Sequence, residues 1–321
     1  MQPKKRNKLN PNWRDEFAQI VGSMFVEKFE YSGSLLTSNA TRASFNTEKK
    51  KFDIERDAKL IRFCAREEHK NPFYHRRLAV KIKNGLKPTC FLDRHESAGF
   101  DFDPETNILT FNVYNCPEFF INYFGGLNCE DAYALLESGH RGLVLDPDSV
   151  EKVYEKLDAQ HPCAWHHLRF SAPIPILRQW MKSKIGADES EESRRYIMGE
   201  PTFYLIPADQ LRRAPMDGEN IKQGSSAVPF TVEEAEEIFK ICEESINSSR
   251  NYYNTLLEKG LCAEQARFHL IQAAMPTVVQ TVTTKTLMRL SKLRSAHDAQ
   301  KEIAIFMDMV SNVTGVKYVS N

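Results

Sequence analysis

Between Asp53 and Glu67 the chain reads DIERDAKLIRFCARE, with Ile54, Ala58, Ile61 and Ala65 at helical spacing and charges elsewhere, which predicts an amphipathic helix. The following HKNPFYH should break it, because Asn71 before Pro72 is pushed away from the α region. RRLAVKIK then alternates Leu78, Val80 and Ile82, the pattern of a half-buried strand. Residues 84–171 change character. GFDFDPETNILTFNVY reads as a hairpin turning on Asp103 to Asn107. NCEDAYALLESG is a short helix capped at Asn128 and stopped at Gly139, and DPDSVEKVYEKLDAQH a further helix. This block is expected to form a subdomain of its own. The C-terminal third is helical. TVEEAEEIFKICEESINSSRNYYNTLLEKG carries Thr231 three residues before Glu234, a capping-box pattern, and ends at Gly260. Its apolar face is Val232, Ala235, Ile238, Phe239, Cys242 and Ile246. CAEQARFHLIQAA predicts a second helix stopping near Pro276, and HDAQKEIAIFMDMV a last one beyond the Thr/Val-rich TVVQTVTTKTLMRLSKLR. The whole reads as α+β.

Composition narrows the function classes. The 321 residues carry 43 basic and 43 acidic side chains, so no bulk field points to nucleic acid or to a membrane. No apolar run approaches the roughly 18 residues of a membrane span. MQPKKRNKLNPNW is a basic arm leading into a short amphipathic helix, WRDEFAQIVGSMF; with no apolar run behind it, it reads as a solvated tail rather than a signal peptide or a nucleic-acid contact. Seven scattered cysteines without a CxxC pair suggest reduced thiols and a cytoplasmic setting.

Two segments carry candidate chemistry. RQWMKSKIGADESEESRRY, from Arg178 to Tyr196, is either a solvated charged surface or a holder of a polyanion. A helix from about Pro175 to Lys184 would place Arg178 and Lys182 one turn apart on one face, with Gln179 beside Lys182. Gly186 then releases the chain towards Ser193, Arg194 and Arg195, whose hydroxyl and guanidinium forks suit phosphate oxygens. HPCAWHH gathers His161, Cys163, His166 and His167, a zinc-type ligand set. It lacks a second ligand pair and a group to orient a Cys163–His166 nucleophile pair, so a structural reading is preferred.

Several segments, in order, resemble the flavin-dependent thymidylate synthase (ThyX) family. VEKFEYSGSLLTSNATRASF (26–45) is similar to its opening strand and Ala-x-Arg-x-Ser-Phe signature, and HKNPFYH (69–75) to its histidine loop. APIPILRQWMKSK (172–184) resembles the helix bearing its Arg-Gln and Arg-His-Arg; SRRY (193–196) and TFYLIP (202–207) resemble the motifs that follow. YYNTLLEKGLCAEQAR (252–267) and TLMRLSKLRSAHDAQKEI (286–303) resemble its last signatures. The resemblance covers about 26–83 and 172–312, leaving 84–171 as an insertion between a basic arm (1–25) and a short tail (313–321). It implies a thymidylate synthase-complementing (ThyX-like) α+β fold, an antiparallel sheet packed with long helices, plus the inserted subdomain.

The resemblance further implies a homotetramer with active sites between subunits, in which FAD, reduced by NADPH, handles one-carbon transfer from methylenetetrahydrofolate to C5 of dUMP or a related pyrimidine nucleotide. Residue by residue, it places Gln179, Lys182, Ser193, Arg194, Arg195, Arg267 and Arg294 against the nucleotide. Ser193 and Arg195 would grip the phosphate, and Arg294 would stabilise charge on the pyrimidine as C5 becomes nucleophilic; Arg294 and Ser193 are the expected catalytic pair. On the FAD side it places Ser44, His69, Asn71, Lys182, Ser183, Lys184, Glu191, Thr283, Lys285 and Arg289. That side departs from the family: Lys182-Ser183-Lys184 replaces Arg-His-Arg, with one extra residue before Ser193. Asn71 replaces Thr/Ser, and Thr283, Lys285 and Arg289 stand for Asn, Arg and Asn. Lysine neutralises a pyrophosphate as a point charge but does not reproduce the bidentate fork.

Three functions therefore stand at this stage. The first is a divergent flavin- and folate-dependent enzyme acting at C5 of dUMP, with hydroxymethylation as a variant. The second is a nucleotide-binding subunit assembling with an active paralogue. Nucleic-acid binding through KKR is the third and weakest. No metal is implied.

Overall fold

The computed structural model describes residues 21–31, 33–83, 99–182, 185–217, 224–296 and 298–317. In chain order these form β1 (Phe25–Lys28), α1 (Ser34–Arg42), α2 (Ile54–Arg66), α3 (Asn71–Tyr74), β2 (Arg77–Ile82), β3 (Asp101–Asp103) and β4 (Ile108–Asn112). Then come α4 (Pro117–Phe124), α5 (Glu130–Glu137), β5 (Val150–Tyr154), β6 (Trp165–Ser171), α6 (Ile174–Trp180) and β7 (Ala187–Glu191). The last are α7 (Val232–Glu258), α8 (Ala263–Ala266), β8 (Thr277–Thr283), α9 (Thr284–Arg294) and α10 (Lys301–Thr314). The basic arm lies outside the described residues, as does most of the helix expected before β1. Contacts divide the chain into two compact units, Met1–Met24, Ala172–Pro175 and Arg194–Pro276 against Phe25–Ser171, Ile176–Ser193 and Thr277–Asn321.

The second unit holds two antiparallel four-stranded sheets, ordered β1-β6-β8-β7 and β3-β4-β2-β5. β8, TVVQTVT, is buried at every position but Val279, which is why it is built of β-branched residues. Against this sheet Phe170 of β6, Trp180 of α6 and Phe306 of α10 pack edge to face, and the Trp180 indole donates to Gln280 Oε1 at 2.9 Å. The other sheet buries Leu78, Val80 and Phe111 with Ile61 of α2, Phe119 and Phe120 of α4, and Leu135 of α5. Buried Arg77 donates to Asp101 at 3.2 Å and to Asp188 at 2.6 Å, tying β2 and β3 to β7. Asp131 accepts from Arg76 at 2.5 Å, Ser34 at 3.1 Å and Thr37 at 2.7 Å, anchoring α5 to α1. Removing one partner of such a buried pair costs about 3–5 kcal/mol.

The first unit is built on α7, whose capping box is formed: Glu234 N–H donates to the Thr231 hydroxyl and the Thr231 N–H to the Glu234 carboxylate. Its apolar cluster joins Phe203, Ile246 and Ala274 with Val21, Ile174, Leu205, Leu270 and Ile271.

Several expectations are corrected. DPDSVEKVYEKLDAQH is not a helix: after a 3-10 turn at Pro147–Ser149, Val150–Tyr154 forms a strand, because β2 offers it a backbone edge and Val153 packs into the core. The same pairing buries both faces of β2, expected to be half-buried. The described part of residues 84–171 does not pack as a separate subdomain. Its β6 lies between β1 and β8, and its β4 and β5 flank β2, so it completes both sheets. CAEQARFHLIQAA is helical only over Ala263–Ala266, with a 3-10 turn at Arg267–His269. Beyond it, the Ala273 carbonyl accepts from Tyr204 N–H and the Gln272 carbonyl from Ile174 N–H, so tertiary pairing replaces helical bonds. Asn128 sits within a 3-10 turn and Cys129 occupies the N-cap of α5. Pro72 stands in the first turn of short α3, where a missing N–H costs nothing. Ile54 faces solvent at 53% exposure, because it is the first residue of α2. Val232, opening α7, is likewise exposed at 70%.

Candidate active site

Arg294, in the last turn of α9, donates through Nη2 to the Gln179 carbonyl of α6 at 2.5 Å. Its Nε is buried and has no hydrogen-bond partner among the described residues. The Gln179 side chain donates to Gln300 Oε1 at 2.6 Å, and Gln300 donates to Glu302 at 2.8 Å. Arg294 and Gln179 are thus brought together, and Gln300, which sequence reasoning missed, orients the Gln179 amide.

Ser193 follows β7. Its N–H donates to the Ser44 carbonyl at 2.9 Å, while the Glu192 N–H donates to the Thr277 carbonyl at 2.8 Å and its carboxylate accepts from the Thr277 N–H at 3.3 Å, at the start of β8. Ser193 and Ser44, expected on opposite sides of the site, are therefore neighbours in the second unit. Glu191 is exposed at the end of β7.

Arg194, Arg195 and Arg267 belong to the first unit. Arg195 Nε meets Glu264 Oε1 at 2.8 Å, and Arg267 Nε donates to the Glu264 carbonyl at 3.2 Å, so one residue of α8 gathers both guanidinium groups. The Arg195–Glu264 pair is about half exposed, which makes it a weak, exchangeable contact that an anion can replace. Arg194 turns onto its own loop, donating to the carbonyls of Gly199 and Glu200.

On the expected cofactor side, the Thr283 hydroxyl caps α9, accepting from Thr286 N–H at 3.4 Å and donating to the Thr286 hydroxyl at 3.0 Å. Thr283 is fully buried. Gly186 has φ +73° and leaves no room for a Cβ, which would meet the Thr286 and Thr283 hydroxyls at 2.4 and 2.6 Å. Lys285 is exposed and Arg289 lies one turn later on the same helix face. Arg289 donates to the Ile185 carbonyl at 3.1 Å and keeps a buried Nε without a partner among the described residues. Lys182 is exposed just beyond α6; Ser183 and Lys184 lie outside the described residues. His69 is exposed on the loop after α2, edge-on to Phe63 at 6.0 Å, and Asn71 is exposed at the start of α3.

The family model "Thymidylate synthase complementing protein" matches residues 159–315 of this chain. A flavin-dependent thymidylate synthase of Aquifex aeolicus is 26% identical over 293 residues, 83% of this chain and 89% of its own length. One from Thermosipho africanus is 25% identical over 198 residues, 57% of this chain and 81% of its own. Over these segments the chain is similar to flavin-dependent thymidylate synthases. A crystal structure of a UMP/dUMP methylase, PolB from Streptomyces cacaoi, bound with 5-Br dUMP, is a distant likeness, with TM-score 0.43 and 17% identity over 91% of this chain and 90% of that one. The chain is an enzyme of α+β architecture. None of the helices among the described residues is long and apolar enough to cross a membrane.

The second unit also contains a buried polar chain that links the HPCAWHH and HKNPFYH segments. His75, 0% exposed, places Nδ1 at 2.9 Å from the Thr281 hydroxyl and Nε2 at 3.1 Å from the Ser190 hydroxyl. His167 Nδ1 reaches the same Thr281 oxygen at 2.8 Å. One hydroxyl proton cannot go to two imidazoles, so at least one of the rings donates to Thr281, which couples their tautomers. Burial holds His75 near a pKa of about 3, with Arg77 adding to the effect. His166 is pushed to about 4 by burial and then by Lys28. Its Nε2 lies 2.8 Å from Thr284, whose own proton goes to the Ala159 carbonyl, so His166 donates there and its Nδ1 is a buried lone pair. Cys163 is inert, its thiol raised to about 12 by burial. The sequence signals were the HPCAWHH cluster and His75, the last residue of HKNPFYH; their meeting at Thr281 had none.

Proposed function

We propose that the chain transfers a one-carbon unit from methylenetetrahydrofolate to C5 of dUMP or a related pyrimidine deoxynucleotide, using FAD reduced by NADPH. The observation that carries the reading is Arg294: a guanidinium fixed at the Gln179 carbonyl, with a buried Nε that a ligand acceptor would satisfy. In this role Arg294 stabilises negative charge spread over the pyrimidine, and the Gln179 amide, held by Gln300, orients the ring. Arg195, Arg267 and Ser193 hold the phosphate, Arg195 exchanging its half-exposed contact with Glu264 for a charge-assisted bond to the dianion. Arg194 positions that loop through its carbonyls.

The residues present also fit an anionic dinucleotide cofactor. Arg289 has a buried Nε left over, and Lys285 and Lys182 add exposed positive charge. When bound, the flavin supplies the hydride and one-carbon chemistry that amino-acid side chains lack. Lys285, Arg289 and Lys182 would neutralise its phosphates, His69 would face its ring system, and Thr283 would keep the helix that bears them capped. By family resemblance the enzyme is a homotetramer, and its scattered cysteines fit a cytoplasmic setting.

Calorimetric titration of dUMP tests the nucleotide half. Arg294→Ala and Arg195→Ala should each lose about 1.5–3 kcal/mol of binding, the magnitude of a hydrogen bond to a charged group. Unchanged affinity in both variants would remove the assignment.

A further inference from the structure

A cleft of about 240 Å³ opens in the second unit beside His69. One wall is the turn after α2, with Cys64, Arg66, Glu68, His69 and Lys70; the other is Tyr114, Leu135, Ser138, Gly139 and His140. The second wall comes entirely from residues 99–171, the stretch outside the resemblance to the family. Tyr114 and His140 stack with ring centroids 3.8 Å apart, and Tyr74 meets Tyr114 edge-on at 5.3 Å, giving the cleft a fixed aromatic surface. The His140 Nε2 lies 2.7 Å from the Tyr114 carbonyl; a carbonyl only accepts, so Nε2 carries the proton and Nδ1 is the ring's remaining hydrogen-bonding atom.

The charge on the other wall is distinctive. The Lys70 ammonium lies 5.9 Å from the Tyr114 ring centre and forms no ion pair among the described residues. Arg66, 71% exposed at the rim, pairs with Glu67 at 3.0 Å, a solvent-exposed contact that a ligand anion can exchange. Glu68 is held in the left-handed region at φ +56°, with its N–H bonded to the Ala65 carbonyl and that of His69 to the Cys64 carbonyl, so the turn that presents Glu68, His69 and Lys70 is built rather than slack. At Gly139, φ +94°, a Cβ would meet nothing within 4 Å, so this stretch of wall faces open space. An aromatic surface, cations on one rim and room for a ring are the requirements of a site for a planar aromatic acid.

We propose that this cleft binds an aromatic carboxylate, and that in the reaction proposed above it seats the aminobenzoyl-glutamate end of the one-carbon donor, with Lys70 and Arg66 on its carboxylates and the Tyr114–His140 pair against its ring. The identity of the ligand rests on that reaction; the aromatic-acid chemistry rests on the cleft alone. Glu68 works against the same anion, which gives the test two opposite signs.

The experiment is fluorescence titration of the full-length protein with 4-aminobenzoylglutamate and, separately, with its neutral diamide, alongside a dUMP titration. The acid should bind saturably and at least about tenfold tighter than the diamide. Lys70→Glu should weaken it about tenfold and Glu68→Gln should tighten it, both at exposed positions and with unchanged melting temperature. A structural effect of the turn would move both variants the same way. Absence of saturable binding, or equal affinity in wild type, Lys70→Glu and Glu68→Gln, would overturn the proposal. If dUMP binds and the acid does not, the cleft assignment alone fails. If the acid binds with the expected signs and dUMP does not, the cleft stands and the reaction assigned above falls.

Discussion

Acidification should unfold this protein through His75, and the size of the effect follows from the geometry. The ring is fully buried, and both nitrogens are engaged by hydroxyls, at 2.9 Å from Thr281 and 3.1 Å from Ser190. Folded, it titrates at about 3; unfolded, near the ordinary 6.5. Across that interval the unfolded chain binds a proton that the folded one refuses, so stability is complete above the unfolded value and falls as pH drops below it. Each pH unit removes about 1.4 kcal/mol per such group, so His75 alone accounts for about 2 kcal/mol between pH 6.5 and about pH 5. His166, 2% exposed and depressed to about 4, adds a loss of the same order over the same interval. The assay is urea unfolding at neutral pH and at about pH 5, wild type against His75→Gln. At neutral pH the substitution should cost about 1–3 kcal/mol, since one hydroxyl loses its partner. Its further loss on acidification should be smaller than wild type by about 2 kcal/mol. An identical acid-induced loss in both proteins would refute the reasoning.

Restoring the family's Arg-His-Arg by Lys182→Arg, Ser183→His and Lys184→Arg should tighten FAD and make its binding less salt-sensitive, because guanidinium forks replace ammonium point charges. FAD titration at low and high salt, with dUMP affinity as a control, checks it; equal and negligible FAD binding in both proteins would end the flavoenzyme reading. Deleting residues 84–171 removes β6 from between β1 and β8, together with β3, β4 and β5, and should leave no soluble protein on expression. A soluble, dUMP-binding product would show that the catalytic sheet closes without them.

What could be read from the sequence was local. The Thr231–Glu234 capping box and the Asp103–Asn107 hairpin turn rest on residues a few positions apart, and both formed as the spacing dictated. VEKVYEKL spaces Val150, Val153, Tyr154 and Leu157 at helical intervals, and only the open edge of β2, supplied from far away in the chain, decides for a strand. β6, WHHLRFS, gave no sign that it lies between β1 and β8, so the block containing it looked detachable. The same limit governs the site. The order of the motifs pointed to Arg294, Gln179, Ser193, Arg195 and Arg267, but not to the partners that fix them. That Thr283 is spent on capping α9, that Arg194 grips its own loop, and that Gln300 holds Gln179 all depend on contacts between distant segments. His75 was visible as the last letter of a loop, and only burial makes it a neutral, coupled imidazole.

The central claim is chemical, and the direct measurement is mass spectrometry of the nucleotide after incubating the full-length protein with dUMP, FAD, NADPH and methylenetetrahydrofolate. The account predicts a product heavier than dUMP by one carbon substituent at C5, NADPH oxidation that depends on FAD, and loss of product in Arg294→Ala. Unmodified dUMP from a protein that binds both dUMP and FAD would contradict it.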